Sequence, residues 1–323
     1  MPRSAAHVDE IQPLAAFAED VRAGLLARPK RLPALWFYDA LGSALFEAIC
    51  RLPWYRITRS ESTLLTRHAA AIADVAGEDA SLIELGGGSG EKLAILIDAA
   101  VARGYLPAVH LIDVSSRALD LAAATLARFA DVRVSTHEAT YEAGLRAIRP
   151  PARGRQLVLF LGSNIGNFDP VDATALLQQI AAALRPGDLV LLGADLIKPE
   201  RDLLLAYDDP IGVTAAFNKN VLARINTELG AEIDLASFVH EARWNAGASR
   251  VEMHLASTRR QVIEIPRARC RVAFERGESI WTESSYKFEP HGLVHMGSRA
   301  GLALDEQWVD GTAGFALTLF RRG

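Results

Sequence analysis

The chain has only two cysteines, Cys50 and Cys270, in 323 residues. Two thiols do not make a disulfide framework, and neither stands in the paired Cys/His spacing that a structural zinc site needs. Such usage suits a reducing cytosol, so a cytoplasmic protein is expected. A positive excess is also missing: 35 Lys and Arg against 39 Asp and Glu leave a formal charge of −4. The basic residues are dispersed along the chain, leaving no electrostatic footprint for nucleic acid. Long apolar runs are absent too. The opening "MPRSAAHVDEIQPLAAFAEDVRAGLL" interrupts its apolar positions with acids and has no signal-like core of about 7–15 apolar residues. No later segment approaches the roughly 20 uninterrupted apolar residues of a spanning helix. A soluble, unprocessed protein is expected, with neither membrane nor nucleic acid as partner. The lack of a long exposed apolar pattern points to a monomer.

What is present is a chain that is half apolar, enough to bury one large core or two modest ones. Residues 10–30, 41–50 and 61–76 carry apolar positions at helical spacing. Strand-like runs follow: "SLIEL" (81–85), "AVHLID" (108–113), "VRVSTHEA" (132–139), "QLVLFLG" (156–162) and "DLVLLGADL" (188–196). Helical patterns at 91–103, 116–129, 142–149 and 171–184 separate them, the last closed by "RPGD". Nearly all-apolar strands alternating with helices imply a parallel sheet buried on both faces, a doubly wound α/β domain. After Leu196 the rhythm changes. Residues 200–230 read as helices, and the runs at 250–257, 261–266 and 270–280 alternate as antiparallel strands do. This predicts an inserted α+β unit, after which a helix and two strands, "DEQWVD" and "GFALTLFRR", return the chain to the first sheet.

The first strand ends in "ELGGGSGEKL", Glu84 to Leu93. In an open α/β sheet the ligand crevice lies beyond the carboxyl ends of the strands, where strand order reverses. Glycines there let the backbone approach a ligand, and the next helix offers free N–H groups. The phosphate-loop template fails because Leu93 stands where a hydroxyl must bind magnesium. The dinucleotide template fails because its third glycine falls on Glu91. Asp113 ends the second strand, where a carboxylate can accept both hydrogen bonds of a ribose diol.

An acid ending the first strand, a glycine loop without the third dinucleotide glycine, and an aspartate ending the second resemble the class I S-adenosylmethionine-dependent methyltransferases. Further segments narrow this. "YDALGSALFEAICRLPWYRITRSE", "ELGGGSGEK", "FLGSNIGN", "AYDDPIGVTAAFNKNVLARIN", "ARWN", "VEMHL", "TESSYKF" and "GFALTLFRR" resemble, in that order, the ergothioneine-biosynthetic L-histidine Nα-methyltransferase family. The resemblance runs from about Trp36 to the C-terminus.

It implies three successive methyl transfers from S-adenosylmethionine to the α-amine of L-histidine, giving hercynine. The implied architecture is a Rossmann-like methyltransferase sheet with an inserted substrate-binding unit. An N-terminal helical segment, 1–60, would join the methyltransferase domain, whose core spans 61–196. The insert would span 197–286 and the return 287–323. Asn167 and Tyr207 match residues holding the amino and carboxylate groups of histidine, with Thr214 nearby. Glu283 and Ser285 match those that bind the imidazole, and Tyr55 and Met253 line that pocket. Tyr38, Gly86, Lys92 and Asp113 match donor contacts. Tyr38 and Tyr207 are also placed to take the proton of the amine. One departure stands out: where the family has an acid before an aromatic at the adenine, this chain has Thr140 and Tyr141. Tyr141 keeps the stacking surface, whereas Thr140 offers a hydroxyl without charge, with Glu138 as a substitute.

These residue types suit the reaction. Displacement at a sulfonium needs a neutral amine lone pair, and an α-amine with a reference pKa of about 8 is partly neutral near neutrality. Asn167, being uncharged, orients such an amine without holding it as a cation. Glu283 accepts from a ring N–H, and an apolar analogue would leave the carboxylate unpaired. No metal is required, and the histidines show no shared ligand spacing. Taken alone, the three tyrosines read as half-buried aromatics, Met253 as core packing, Glu283 as a solvated strand position and Asn167 as a turn residue. Two other functions stay open on the sequence: the same transfer to another amino acid or a histidine-derived thiol, and a non-catalytic module that binds S-adenosylmethionine or histidine.

Overall fold

A computed structural model of the chain describes residues 11–323; the first ten residues of the expected N-terminal segment lie outside them. The early elements are α1 (Ile11–Leu26), β1 (Lys30–Arg31) and α2 (Ala40–Arg51). Next come α3 (Ile57–Ala76), β2 (Ser81–Leu85), α4 (Glu91–Val101), β3 (Ala108–Asp113), α5 (Ser116–Leu126), β4 (Val134–Glu138), α6 (Tyr141–Ala147), β5 (Gln156–Phe160), α7 (Pro170–Ala183) and β6 (Leu189–Asp195). Then follow α8 (Glu200–Tyr207), α9 (Val213–Leu229), β7 (Phe238–Asn245), β8 (Arg250–Ser257), β9 (Gln261–Ile265), β10 (Cys270–Phe274) and β11 (Ser279–Tyr286). The chain closes with α10 (Pro290–Arg299), β12 (Leu302–Asp310) and β13 (Phe315–Arg322).

These elements form two compact units. One comprises Ile57–Ile197 and Tyr286–Gly323, and the other residues 11–56 with Lys198–Ser285. The first holds the seven-stranded sheet, ordered β12-β13-β6-β5-β2-β3-β4. From β4 across to β6 neighbouring strands are parallel, and β13 runs antiparallel to both β6 and β12. Every residue of β2, β5 and β6 is buried, because helices cover both faces, so these strands read as mostly apolar runs with a few buried polar residues such as Glu84 and Asp195. The chain builds outward from β2 to β4 and then restarts at β5 on the other side of β2. The switch point therefore lies between β2 and β5, and the loops after both strands flank it. This is the doubly wound α/β sheet that the strand pattern predicts.

The insert leaves after β6 and the chain returns before α10. Its ends are tied by a parallel bridge between Leu196 and Phe288, with Phe288 N donating to Asp195 O at 3.0 Å and Ile197 N to Phe288 O at 2.9 Å. A buried ion pair, Lys287 Nζ to Asp195 Oδ2 at 3.0 Å, fixes the same junction.

The second unit contains a sheet ordered β1-β11-β8-β7 and a separate β9-β10 hairpin. Residues 11–56 belong here, not with the methyltransferase sheet as the sequence suggests, and the reason is specific pairing. β1 pairs in parallel with β11, and Lys30 is ion-paired to Glu278. Asp39 caps α2 by accepting from Gly42 N at 2.7 Å and also accepts from Asn220 Nδ2 at 2.8 Å. Arg224 Nη1 donates to Trp36 O at 2.7 Å. A Cβ on Gly42 would lie 1.7 Å from Phe37 O, so only glycine allows that approach. Two further differences concern strands. Phe238–Asn245 forms β7, although His, Glu, Arg and Trp conceal its alternation; only Phe238 and His240 are buried. The predicted strand 270–280 divides at a turn where Gly277 has φ +83°, and its end opens β11.

Candidate active site

In the sheet unit the glycine loop is set by close approaches. Gly86 has φ +69°, and a Cβ there would lie 2.6 Å from the Tyr141 hydroxyl and 3.4 Å from Asn164 Nδ2. A Cβ on Gly87 would lie 2.3 Å from Glu84 Oε2. Gly90, at φ +74°, caps α4, and a Cβ there would sit 3.1 Å from Ala122 Cα. The missing side chains thus seat Tyr141 over the loop and Glu84 beneath it.

Glu84 ends the apolar strand fully buried, and its Oε2 has no hydrogen-bond partner among the described residues. Burial pushes its carboxyl up to about 8; Lys92 opposes the shift, while Glu61 and Asp113 add to it. Asp113 accepts from Ser115 N at 2.8 Å. Burial raises its carboxyl above the usual range, against the backbone N–H groups of Ser115 and Val114. Lys92 is ion-paired to Glu61, and Glu61 accepts Gly162 N with both oxygens at 2.8 and 2.9 Å. Thr140 serves as the N-cap of α6, its hydroxyl accepting from Ala143 N at 3.4 Å. Tyr141 packs edge-on to Phe160, with ring centroids 5.6 Å apart.

After β5, Ser163 adopts φ +60°, a left-handed conformation that non-glycine residues seldom hold, and its Oγ accepts from Asp195 N at 2.9 Å. The turn Asn164–Asn167 follows. A Cβ on Gly166 would lie 2.7 Å from Tyr286 O, so this turn packs against the returning chain and leaves Asn167 exposed at its end. An open glycine backbone, an aspartate ending β3, an aromatic over the loop and an orphaned buried carboxyl fit a cationic nucleoside such as S-adenosylmethionine.

The second unit holds the other expected residues. Tyr207 ends α8 and its hydroxyl lies 2.7 Å from Ser285 Oγ. The Tyr55 ring is 6.3 Å from Tyr207 and 6.3 Å from Phe46, while Tyr38 lies 5.7 Å from both Phe46 and Phe217. Burial raises the Tyr55 phenol well above its ordinary value, with smaller contributions from Tyr207, Cys50, Tyr38 and Glu283. Tyr55 is therefore a neutral hydroxyl. Met253 is buried on β8, and its carbonyl accepts from Thr282 Oγ1 at 2.9 Å. Thr214 is buried at the start of α9, its N donating to Asp209 Oδ2 at 2.7 Å. Asp209 also accepts from Ile211 N and Val213 N, which makes the second acid of "YDD" a turn former.

The structure thus places Gly86, Lys92, Asp113, Thr140, Tyr141 and Asn167 on one unit, and Tyr38, Tyr55, Tyr207, Thr214, Met253, Glu283 and Ser285 on the other. Sequence reasoning passed over Glu61, Asn218 and His240. The available signal was a polar residue within an apolar helical stripe: Glu61 falls between Ile57 and Leu64, and Asn218 between Phe217 and Val221.

Comparison with known proteins gives the family. A family model described as histidine-specific methyltransferase, S-adenosylmethionine-dependent, matches residues 17–322. A histidine N-alpha-methyltransferase of Mycolicibacterium smegmatis is 43% identical over 309 residues, covering 94% of each chain. One of Mycobacterium tuberculosis is 41% identical over 314 residues, covering 97% of each. Ergothioneine biosynthesis protein 1 of Neurospora crassa is 28% identical over 290 residues, 88% of this chain and 32% of that one. With a family model spanning nearly its whole length and two relatives aligned end to end, the chain belongs to the histidine-specific, S-adenosylmethionine-dependent methyltransferases.

Proposed function

We propose that the chain methylates the α-amine of L-histidine three times, giving hercynine, the first step of ergothioneine biosynthesis, and that it works as a cytoplasmic monomer. The observation that carries this reading is the near-full-length identity to two proteins named for histidine Nα-methylation. The residue chemistry supports it. S-adenosylmethionine supplies an electrophilic methyl group on a sulfonium, and Asp113, Gly86, Tyr38 and Tyr141 would hold it, with Thr140 and Lys92 adjoining. Glu283 and Ser285 take the imidazole, with Tyr55 and Met253 lining its pocket. Asn167 and Tyr207 take the amino and carboxylate groups, with Thr214 beside them.

The amine must lose one proton before each attack. Its lone pair then forms the N–C bond as the C–S bond breaks. Three rounds release three protons and leave a quaternary nitrogen that cannot react again. Orientation is the main contribution of the protein, and good positioning supplies roughly 7–11 kcal/mol in intramolecular precedents. Asn167 suits this role, because a carboxylate in its place would hold the amine protonated. Tyr207 and Tyr38 bear the hydroxyls assigned to relay the departing proton, each passing its own proton on to solvent as it takes one from the amine.

The test is incubation of the protein with S-adenosylmethionine and each of the twenty amino acids, followed by mass spectrometry. Histidine alone should gain three methyl groups. Absence of methylated histidine, or accumulation of a monomethyl product only, would overturn the proposal.

A further inference from the structure

Asn218 lies in the second turn of α9, wholly buried and without a place in the reaction described above. Its side chain makes three hydrogen bonds. Nδ2 donates to His254 O at 3.1 Å and meets His240 Nδ1 at 2.8 Å, while Oδ1 accepts from Thr282 Oγ1 at 2.8 Å. His240 Nε2 in turn lies 2.8 Å from Tyr207 O. The network ends on carbonyl oxygens, which can only accept, so its protons are assigned. His254 O fixes which end of the amide is the nitrogen. That nitrogen donates to His240 Nδ1, which leaves the imidazole proton on Nε2, directed at Tyr207 O. Burial lowers the His240 pKa and favours this neutral form.

The positions at the ends of the network are informative. Thr282 precedes Glu283 and shares its proton with Met253 O at 2.9 Å. His254 follows Met253. Tyr207 is held at its carbonyl by His240 and at its hydroxyl by Ser285. One amide therefore ties α9 to β8 and β11 and, through His240 on β7, to the end of α8. The residues assigned to the histidine substrate, Tyr207, Met253, Glu283 and Ser285, each belong to this network or stand one residue or one hydrogen bond from a member of it.

We propose that Asn218 is a positioning residue for imidazole recognition: it sets the register among α8, β8 and β11 that aims Glu283, Ser285 and Tyr207 at the substrate ring. This rests on the assignment of those residues to histidine. Donor binding, assigned largely to the sheet unit, does not depend on it.

The experiment compares wild type, Asn218→Leu and Thr282→Val for histidine KM, kcat, S-adenosylhomocysteine affinity and melting temperature. Leucine keeps the branched shape of asparagine, though it is bulkier, and removes all three bonds. Valine removes only the hydroxyl of Thr282, which keeps the test open if the leucine variant does not fold. The expected result is a rise in histidine KM of about tenfold or more for Asn218→Leu and several-fold for Thr282→Val, with S-adenosylhomocysteine affinity within about twofold of wild type. In a Glu283→Ala background the KM penalty of either substitution should largely vanish, because the carboxylate being aimed is gone. A lowered melting temperature with unchanged KM would overturn the proposal, as would additive penalties with Glu283→Ala. If wild type leaves histidine unmethylated, it is the proposed function that fails.

Discussion

Replacing Glu84 with glutamine should remove a pH dependence of stability that the wild-type fold carries. Glu84 is buried beneath the glycine loop, and its carboxyl titrates at about 8 against an ordinary 4.5. Between those values the folded chain keeps a proton that the unfolded chain has released. The unfolded state binds fewer protons there, so stability falls as pH rises. The raised carboxyl thus favours the fold fully only below pH 4.5, and the loss is complete once pH passes about 8. At 1.36 kcal/mol per unit, the shift of 8 minus 4.5 corresponds to an upper figure of about 5 kcal/mol. Local relaxation and water penetration around a buried group reduce this, so a loss of about 2–4 kcal/mol between pH 5 and 8 is expected. Glutamine copies the shape of the protonated acid and does not titrate. The assay is urea unfolding of the ligand-free protein at half-unit steps from pH 5 to 8.5, followed by a signal from the sheet unit. Wild type should lose stability steadily while Glu84→Gln stays flatter, the two curves nearly meeting at pH 5. Parallel curves across the range would refute the argument, since they would mean that Glu84 is ionised in the fold.

Three other substitutions separate donor from acceptor. Asp113→Asn should weaken S-adenosylhomocysteine binding by about tenfold or more in calorimetry while histidine KM stays within about twofold, because the amide still accepts one bond of a diol but not two. Glu283→Gln should raise histidine KM by roughly 5- to 150-fold, the equivalent of about 1–3 kcal/mol, and reduce discrimination against phenylalanine in competition assays. Gly86→Ala places a methyl group against the Tyr141 hydroxyl at a residue with φ +69°, and should lower both melting temperature and donor affinity. The double variant with Tyr141→Phe should recover part of the stability but not the backbone strain, a comparison that thermal melts can make.

The sheet is legible in the sequence because strands covered on both faces are mostly apolar, and β2 and β3 fall where their runs predict. The loop after β2 is legible for a related reason: glycine is required where Tyr141 and Glu84 approach the backbone. β7 is harder to see because most of its residues are partly or wholly exposed and charge interrupts its alternation. The placement of residues 11–56 escapes sequence reasoning altogether. It is decided by pairings such as Asp39 with Asn220 and Lys30 with Glu278, which link positions far apart in the chain. Of the expected site residues, those on strand ends were the easiest to find, since strand ends are where α/β sheets present ligand groups. Lys92 illustrates what spacing does not reveal: its ammonium is shared with Glu61, a partner on a helix that precedes the sheet.

Glu61 and Asn218 pose the same physical problem in different units. Each is wholly buried on a helix whose neighbouring positions are apolar, where leucine would avoid the desolvation that a carboxylate or amide incurs. Each is offset by bonds that cross from its helix to other elements of the same unit. Glu61 holds Gly162 N and Lys92; Asn218 holds His254 O, His240 and Thr282. Replacement of such groups by well-packed apolar residues is often neutral for stability. Stability alone is therefore a weak reason for either residue. What a buried, fully bonded polar group does supply is direction: slipping the helix by one residue would strand its acceptor or donors, whereas an apolar contact tolerates the slip. In the sheet unit the direction given by Glu61 fixes the turn after β5 beside the glycine loop. In the other unit the direction given by Asn218 fixes the strands that carry Met253 and Glu283. Catalysis that relies on orientation more than on strong acids or bases needs such fixed directions, and buried polar residues on helices provide them at a tolerable cost in stability.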